Sequence, residues 1–244
     1  MKCGKMTLFN MKIVMVIMLV LACNKPVEQA FLPDSSIGEE ENLVKISYLA
    51  LGDSYTIGES VSKTKSFPKQ LEKRLENDLN VKIQTKIVAQ TGWRTDNLLN
   101  AIATADLDTS YDFVTLLIGV NNQFQGVAFE TYKKEFPELL STAVHLAGDN
   151  SKRVVVVSIP DWSFTPFGRN REGENISEEI DSYNAFAQSK AEELEVRFIE
   201  ITDITREGLN KPELVAGDGL HPSAEAYKLF VDRIAPKISS GLKD

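Results

Sequence analysis

The chain is poor in the residues that build metal centres and covalent cross-links. Its 244 residues include two cysteines, Cys3 and Cys23, and two histidines, His145 and His221. Two cysteines, one of them near the first residue, exclude a disulfide framework and a cysteine-rich zinc site. Two histidines leave little room for a multi-histidine metal centre. Positive charge is also short: 27 Lys and Arg face 35 Asp and Glu, for a formal net charge of -8. A sequence-independent nucleic-acid binder needs a basic surface that displaces counterions, so that class is excluded. No apolar run approaches the roughly 20 residues that span a bilayer as a helix. What remains is ordinary globular composition, 43% apolar and 25% charged, at a length suited to one generous domain.

The longest apolar run, Ile13 to Ala22, follows Lys12. As a helix it would rise only about 15 Å, half of a hydrocarbon core roughly 30 Å thick. A signal-peptide h-region fits that length better than a spanning helix. Residues 1–10 precede the pattern awkwardly, so Met11 competes with Met1 as the true start. The run closes on Val20-Leu21-Ala22-Cys23, which resembles the lipobox of bacterial lipoproteins. A plain secretory signal that happens to end at a cysteine is the alternative. The resemblance implies removal of residues 1–22, lipid on the sulfur and amino group of Cys23, and a bacterial envelope location with the membrane reached only through that anchor. With Cys23 lipidated, no disulfide can form even in an oxidising compartment. Residues 23–43 carry Pro26, Pro33, Ser35, Ser36, Gly38 and the run Glu39-Glu40-Glu41. They have little to bury and read as a flexible tether. Residues 44–244 form the folded domain, expected as a monomer.

Strand and helix patterns alternate along that domain. Val44–Leu51 is a short apolar run bounded by turn residues, a first strand. A helix follows, with Leu71, Leu75 and Leu79 spaced by four and Ser66 and Pro68 at its start. Val81–Ala89 alternates with period two, as a strand does. Phe113–Ile118 is apolar almost throughout, as a strand buried on both faces should be. Phe129, Tyr132, Phe136, Leu139, Leu140, Ala143 and Val144 hold helical spacing, with Pro137 expected to kink or split that helix. Arg153–Ile159 is the clearest buried strand. Ser177 is expected to open a helix that continues through Tyr183 and Ala187. Val196–Ile201 makes a fifth strand, and Ser223 caps a last helix. Five strands alternating with helices predict an α/β fold, a parallel sheet with helices on both faces in three layers. Ligands of such sheets bind past the carboxyl ends of the strands.

Those ends carry the polar residues of interest. The first strand runs into Gly52-Asp53-Ser54-Tyr55, where a serine behind a glycine can present its hydroxyl at the rim, or simply form a turn. The second runs into Thr91-Gly92-Trp93, where a glycine lets a backbone N–H approach a ligand closely. The third ends in Gly119-Val120-Asn121-Asn122, where a side-chain amide can donate. Near the C-terminus lies Asp218-Gly219-Leu220-His221-Pro222. Three residues separate the carboxylate from the imidazole, a spacing at which Asp218 can orient the ring. An Asx-type turn before the last helix is the plain alternative. A zinc pair is another, although no third ligand is evident. His145 falls within an amphipathic helix and reads as a surface residue. The aromatic stretch Pro160–Gly168, with Trp93 and Phe124, either walls an acyl pocket or plugs the end of the sheet. The polar stretch Arg169–Asn175 reads as a mobile lid.

Taken in chain order, Ser, Gly, Asn and Asp-x-x-His at these positions resemble the GDSL esterases and lipases, also called SGNH hydrolases. The resemblance covers Val44 to the C-terminus and rests on Gly52-Asp53-Ser54-Tyr55-Thr56-Ile57-Gly58-Glu59, Gly92, Gly119-Val120-Asn121-Asn122 and Asp218-Gly219-Leu220-His221-Pro222. Tyr55 replaces the Leu of the family name, and Asn122 stands where Asp is common. The resemblance implies a flavodoxin-like fold and a catalytic triad of Ser54, Asp218 and His221. It also implies an oxyanion hole made by the backbone N–H groups of Ser54 and Gly92 and the Asn121 amide, with no metal or organic cofactor. Small acyl esters are the implied substrates, by a lysophospholipase-like reaction. Removal of acyl groups from carbohydrate, or a non-catalytic lipoprotein that binds glycan or lipid, are the alternatives. The G-x-S-x-G signature of α/β-hydrolases is absent around Ser54. A nucleotide site is disfavoured because the Gly52–Gly58 turn lacks both G-x-G-x-x-G and the Walker lysine.

Overall fold

The computed structural model describes residues 43–171 and 175–242. The proposed signal and lipobox (1–22) and nearly all of the tether lie outside the described residues, as does the middle of the Arg169–Asn175 stretch. Among the described residues no helix is long and apolar enough to cross a membrane.

Five strands form one parallel sheet: β1 (Lys45–Asp53), β2 (Lys82–Gln90), β3 (Phe113–Leu117), β4 (Val154–Val157) and β5 (Arg197–Ile199). Their spatial order is β2-β1-β3-β4-β5. Position in the sheet explains the strand sequences. Central β3 and β4 (FVTLL, VVVV) are buried at every residue, so neither face tolerates a charge. Edge strand β2 (KIQTKIVAQ) leaves half its side chains facing outward, hence the alternation with lysine and glutamine. β4 and β5 are shorter than the apolar runs around them: Arg153 belongs to a 3₁₀ turn and Val196 precedes the ladder.

Helices cover the sheet in two sets. α2 (Phe67–Leu79) packs on α8 (Ala224–Gly241), while α5 (Phe129–Leu146) lies between α3 (Thr95–Thr104) and α6 (Ile176–Glu193). Two expectations need correction, the split at Pro137 and the helix start at Ser177. α5 runs unbroken through Pro137, neither split nor ended there. α6 begins at Ile176, and Ser177 does not cap it. The Ser177 hydroxyl instead donates to Asp161 Oδ2 at 2.7 Å. Beyond the elements expected from periodicity, the chain also forms α3 and the short helices α1 (Ser54–Ile57), α4 (Val120–Phe124) and α7 (Thr202–Thr205). Ser223 caps α8 as expected, its side chain accepting from the Ala226 N–H.

The chain leaves β1 toward β2 on one side and reaches β3 on the other. This is the switch point of a doubly wound sheet, where the carboxyl ends of the two strands splay and leave a crevice. Gly52 makes the crossing possible. A Cβ there would lie 2.1 Å from Thr56 Oγ1 and 2.4 Å from the Leu117 carbonyl oxygen. Only a residue without a side chain lets α1 fold back over β1 while β3 stays in register. Gly52→Ala is therefore expected to lower stability by about 2–3 kcal/mol, read as a drop of roughly 5–10 °C in Tm. A Tm within about a degree of the wild type would contradict the close approach.

Candidate active site

β1 extends through Asp53, so Ser54 is the first residue past the sheet and the first residue of α1. Its side chain is buried, 3% exposed. Facing it is His221, in the loop between α7 and α8. That loop is folded by local bonds: the Ala216 N–H donates to the His221 carbonyl at 2.7 Å, and the Gly219 N–H to the Ala216 carbonyl at 3.0 Å. Val215 and Pro222 form an isolated antiparallel bridge. His221 Nε2 lies 3.0 Å from Ser54 Oγ, across 167 residues of sequence. Its Nδ1 lies 2.6 Å from Asp218 Oδ2. The Tyr55 ring packs on the imidazole with centroids 5.1 Å apart. The tyrosine in place of leucine thus forms one wall of the histidine's seat.

Asp218 receives a full set of donors. Besides His221 Nδ1, Oδ2 accepts from Ser60 Oγ at 2.6 Å. Oδ1 accepts from the backbone N–H groups of Leu220 and His221, each at 3.0 Å. Partial burial raises the carboxyl pKa, but the bonds from Ser60, His221 and the two N–H groups outweigh it and hold Asp218 well below the usual carboxylate range. Asp218 is an anion beside the imidazole.

The other proposed donors converge on the same crevice. Gly92 follows β2 with φ +80°, a left-handed conformation that favours glycine. Asn121, near the start of α4, donates through Nδ2 to the Trp93 carbonyl at 3.0 Å and makes a longer 3.4 Å contact with Asp53 Oδ2. Asn122 plays a different part: Oδ1 accepts from the Thr95 N–H at 3.1 Å and Nδ2 donates to Thr95 Oγ1 at 2.7 Å, pinning the start of α3. His145 is on the surface, paired with Asp149 at 3.1 Å. Among the described residues no set of three or more His, Cys, Asp or Glu side chains could hold a metal ion.

Ser54, Gly92, Asn121 and His221 open on a cavity of about 210 Å³, walled by Tyr55, Val120, Phe124, Trp162 and Leu220. The aromatic stretch therefore divides between the two roles considered for it. Trp162 is buried, with its indole N–H donating to Gln123 Oε1 at 2.8 Å, and still lines the cavity. Phe124 meets Trp162 edge-on at 5.1 Å, and Phe167 packs on both from the rim. Trp93 packs against the core instead of lining the cavity. Asp161, fully buried, holds the stretch in place: it pairs with Arg206 Nε at 2.9 Å and accepts from the Ser163 N–H and hydroxyl and from Ser177. An open groove of about 800 Å³ beside α2 and α8 contains none of these residues.

One buried carboxylate was not singled out in the sequence. Asp53 has no solvent exposure and accepts from the Tyr55 N–H at 3.0 Å as well as contacting Asn121. Burial raises its pKa to about 7, against the opposing pull of those two bonds. The folded chain thus holds this proton more tightly than the unfolded chain, in which a carboxyl titrates near 4. The stability gained is complete below about pH 4 and is lost as pH rises through about 7. Asp53→Asn, which cannot titrate, is expected to lose less stability than the wild type between about pH 4.5 and 7.5, measured by urea unfolding. Equal losses in the two proteins would contradict the raised pKa.

Residues 50–229 match the model of the GDSL-like lipase/acylhydrolase family. Among curated proteins none matches the chain. Solved structures with the same fold include a lipase/acylhydrolase from Enterococcus faecalis, 22% identical, covering 80% of this chain and 96% of its own, with a TM-score of 0.61. An acetylxylan esterase from Geobacillus stearothermophilus is 17% identical over 79% of this chain and 94% of its own, with a TM-score of 0.56. A psychrotrophic esterase from Pseudoalteromonas is 15% identical over 81% and 99%, with a TM-score of 0.57. At these identities the structural matches speak for the fold, and the family match covers the strand ends where Ser54, Gly92, Asn121 and His221 meet; the chain belongs to the GDSL-like lipase/acylhydrolase family.

Proposed function

We propose that the protein is a serine carboxylic-ester hydrolase that cleaves small acyl esters through an acyl-enzyme. The observation that carries this reading is the contact of Ser54 Oγ with His221 Nε2 at 3.0 Å, with Asp218 on the opposite ring nitrogen. A serine hydroxyl is a weak nucleophile until a base removes its proton. His221 takes that proton as Ser54 Oγ attacks the ester carbonyl, then returns it to the departing alkoxide. Asp218 fixes the tautomer with Nδ1–H toward itself and stabilises the imidazolium. Water then attacks the acyl-enzyme by the same route, releasing the acid. The backbone N–H groups of Ser54 and Gly92 and the Asn121 amide serve the oxyanion. Asn121 Nδ2 has only the long 3.4 Å contact to Asp53 on its second hydrogen, which a developing oxyanion displaces.

Cavity size favours short acyl groups. An apolar cavity of 150 Å³ already accepts benzene in another protein, so about 210 Å³ suits acetyl to roughly hexanoyl chains. The net charge of -8 disfavours polyanionic esters and leaves neutral or zwitterionic ones. Removal of acetyl groups from carbohydrate is a second reading, favoured by the exposed rings of Phe124 and Phe167 at the cavity mouth. Anchoring in a bacterial envelope through lipid on Cys23 is part of the same proposal. Hydrolysis of p-nitrophenyl esters from acetate to palmitate tests the hydrolase reading. Activity is expected to be greatest for short chains, to fall steeply beyond about eight carbons, and to vanish in Ser54→Ala. Undiminished hydrolysis by Ser54→Ala would overturn it.

A further inference from the structure

Ser60 lies outside the cavity, yet it touches the same carboxylate oxygen as the imidazole does. It sits six positions after Ser54, where the chain leaves α1, with φ +63°. Left-handed backbone is uncommon for a residue with a side chain. Here it turns the hydroxyl toward a loop 158 residues further along the chain. The segment 54–60 therefore grips the segment 218–221 at two points: Ser54 Oγ on His221 Nε2, and Ser60 Oγ on Asp218 Oδ2. Asp218 Oδ1 is occupied by two backbone N–H groups of its own turn. Among the described residues Ser60 is the one donor to this carboxylate that comes from the nucleophile's side of the crevice.

We propose that Ser60 is a positioning residue, whose hydroxyl holds the Asp218 carboxylate in the rotation that faces Oδ2 to His221 Nδ1. The proposal rests on the hydrolase reading above. Ser60 is exposed, so water can solvate the carboxylate when the hydroxyl is removed; the two N–H groups still hold Oδ1, and what is lost is the fixed second donor on Oδ2, the oxygen that faces Nδ1. Loss of Ser60 therefore loosens the orientation of the dyad and leaves the substrate cavity untouched.

Ser60→Gly is the direct test, because glycine adopts the left-handed conformation without strain and only the hydroxyl is lost. It is expected to lower kcat about ten-fold on p-nitrophenyl acetate with KM unchanged and Tm no lower than the wild type. Ser60→Asn keeps a donor and tolerates the same φ, and is expected to recover part of kcat. A second readout needs no turnover. The Nδ1–H proton of His221, bonded to Asp218 Oδ2 at 2.6 Å, is expected to give a sharp NMR resonance in the wild type and to broaden by solvent exchange in Ser60→Gly. Wild-type kcat together with an unchanged His221 resonance in Ser60→Gly would overturn the proposal. Failure of the hydrolase reading is separate: it shows as ester turnover that survives Ser54→Ala, while the NMR comparison still decides the role of Ser60.

Discussion

The 3.0 Å contact between Ser54 and His221 joins parts of the chain 167 residues apart, and the parallel sheet is what sets that distance. Ser54 cannot drift because β1 is paired on both sides along most of its length and runs straight into it. His221 cannot drift because its loop is closed by its own hydrogen bonds, bridged at Val215–Pro222 and followed at once by the cap of α8. α8 packs on α2, which itself follows the Ser54–Ser60 segment. The two halves of the dyad thus each precede one of two helices that pack on each other, and core packing, not the single hydrogen bond, supplies the rigidity.

Two carboxylates flank the serine and are driven in opposite directions. Asp53 is wholly enclosed, and burial raises it to about 7 despite its two partners. Asp218 is part-exposed, and four donors hold it well below the ordinary range. Divergent environments of this kind separate roles between chemically identical groups. Below its pKa Asp53 is neutral and adds no negative charge where an oxyanion would form. Asp218 keeps its charge at the far end of the imidazole, where it favours the protonated ring.

The strands were legible because each obeys one simple pattern: continuous burial at the sheet centre, alternation at its edge. α1 and α4 were not, since four and five residues are too few to display a helical period. α3 carries Leu98, Leu99, Ala101 and Ile102 against the core, but at ten residues its apolar stripe covers fewer than three turns and is brief beside those of α5 and α8. Ser177 looked like a helix cap, yet Asp161 takes its hydroxyl, a tertiary bond that local spacing does not reveal. The grouping of Ser54, Gly92, Asn121, Asp218 and His221 was legible from the motif and its order. Asp53 lay within that motif unremarked, because a carboxylate beside a serine signals nothing until its burial is known. Ser60 carried no signal at all, for its conformation and its partner both depend on the folded loop.

The central claim is that Ser54 is the nucleophile, and mapping a covalent adduct tests it most directly. The folded protein treated with a fluorophosphonate and then digested should carry one phosphonyl group, on the peptide containing Ser54, with none after prior unfolding in urea. An adduct on a different serine, or no adduct from a preparation that still hydrolyses esters, would contradict the account.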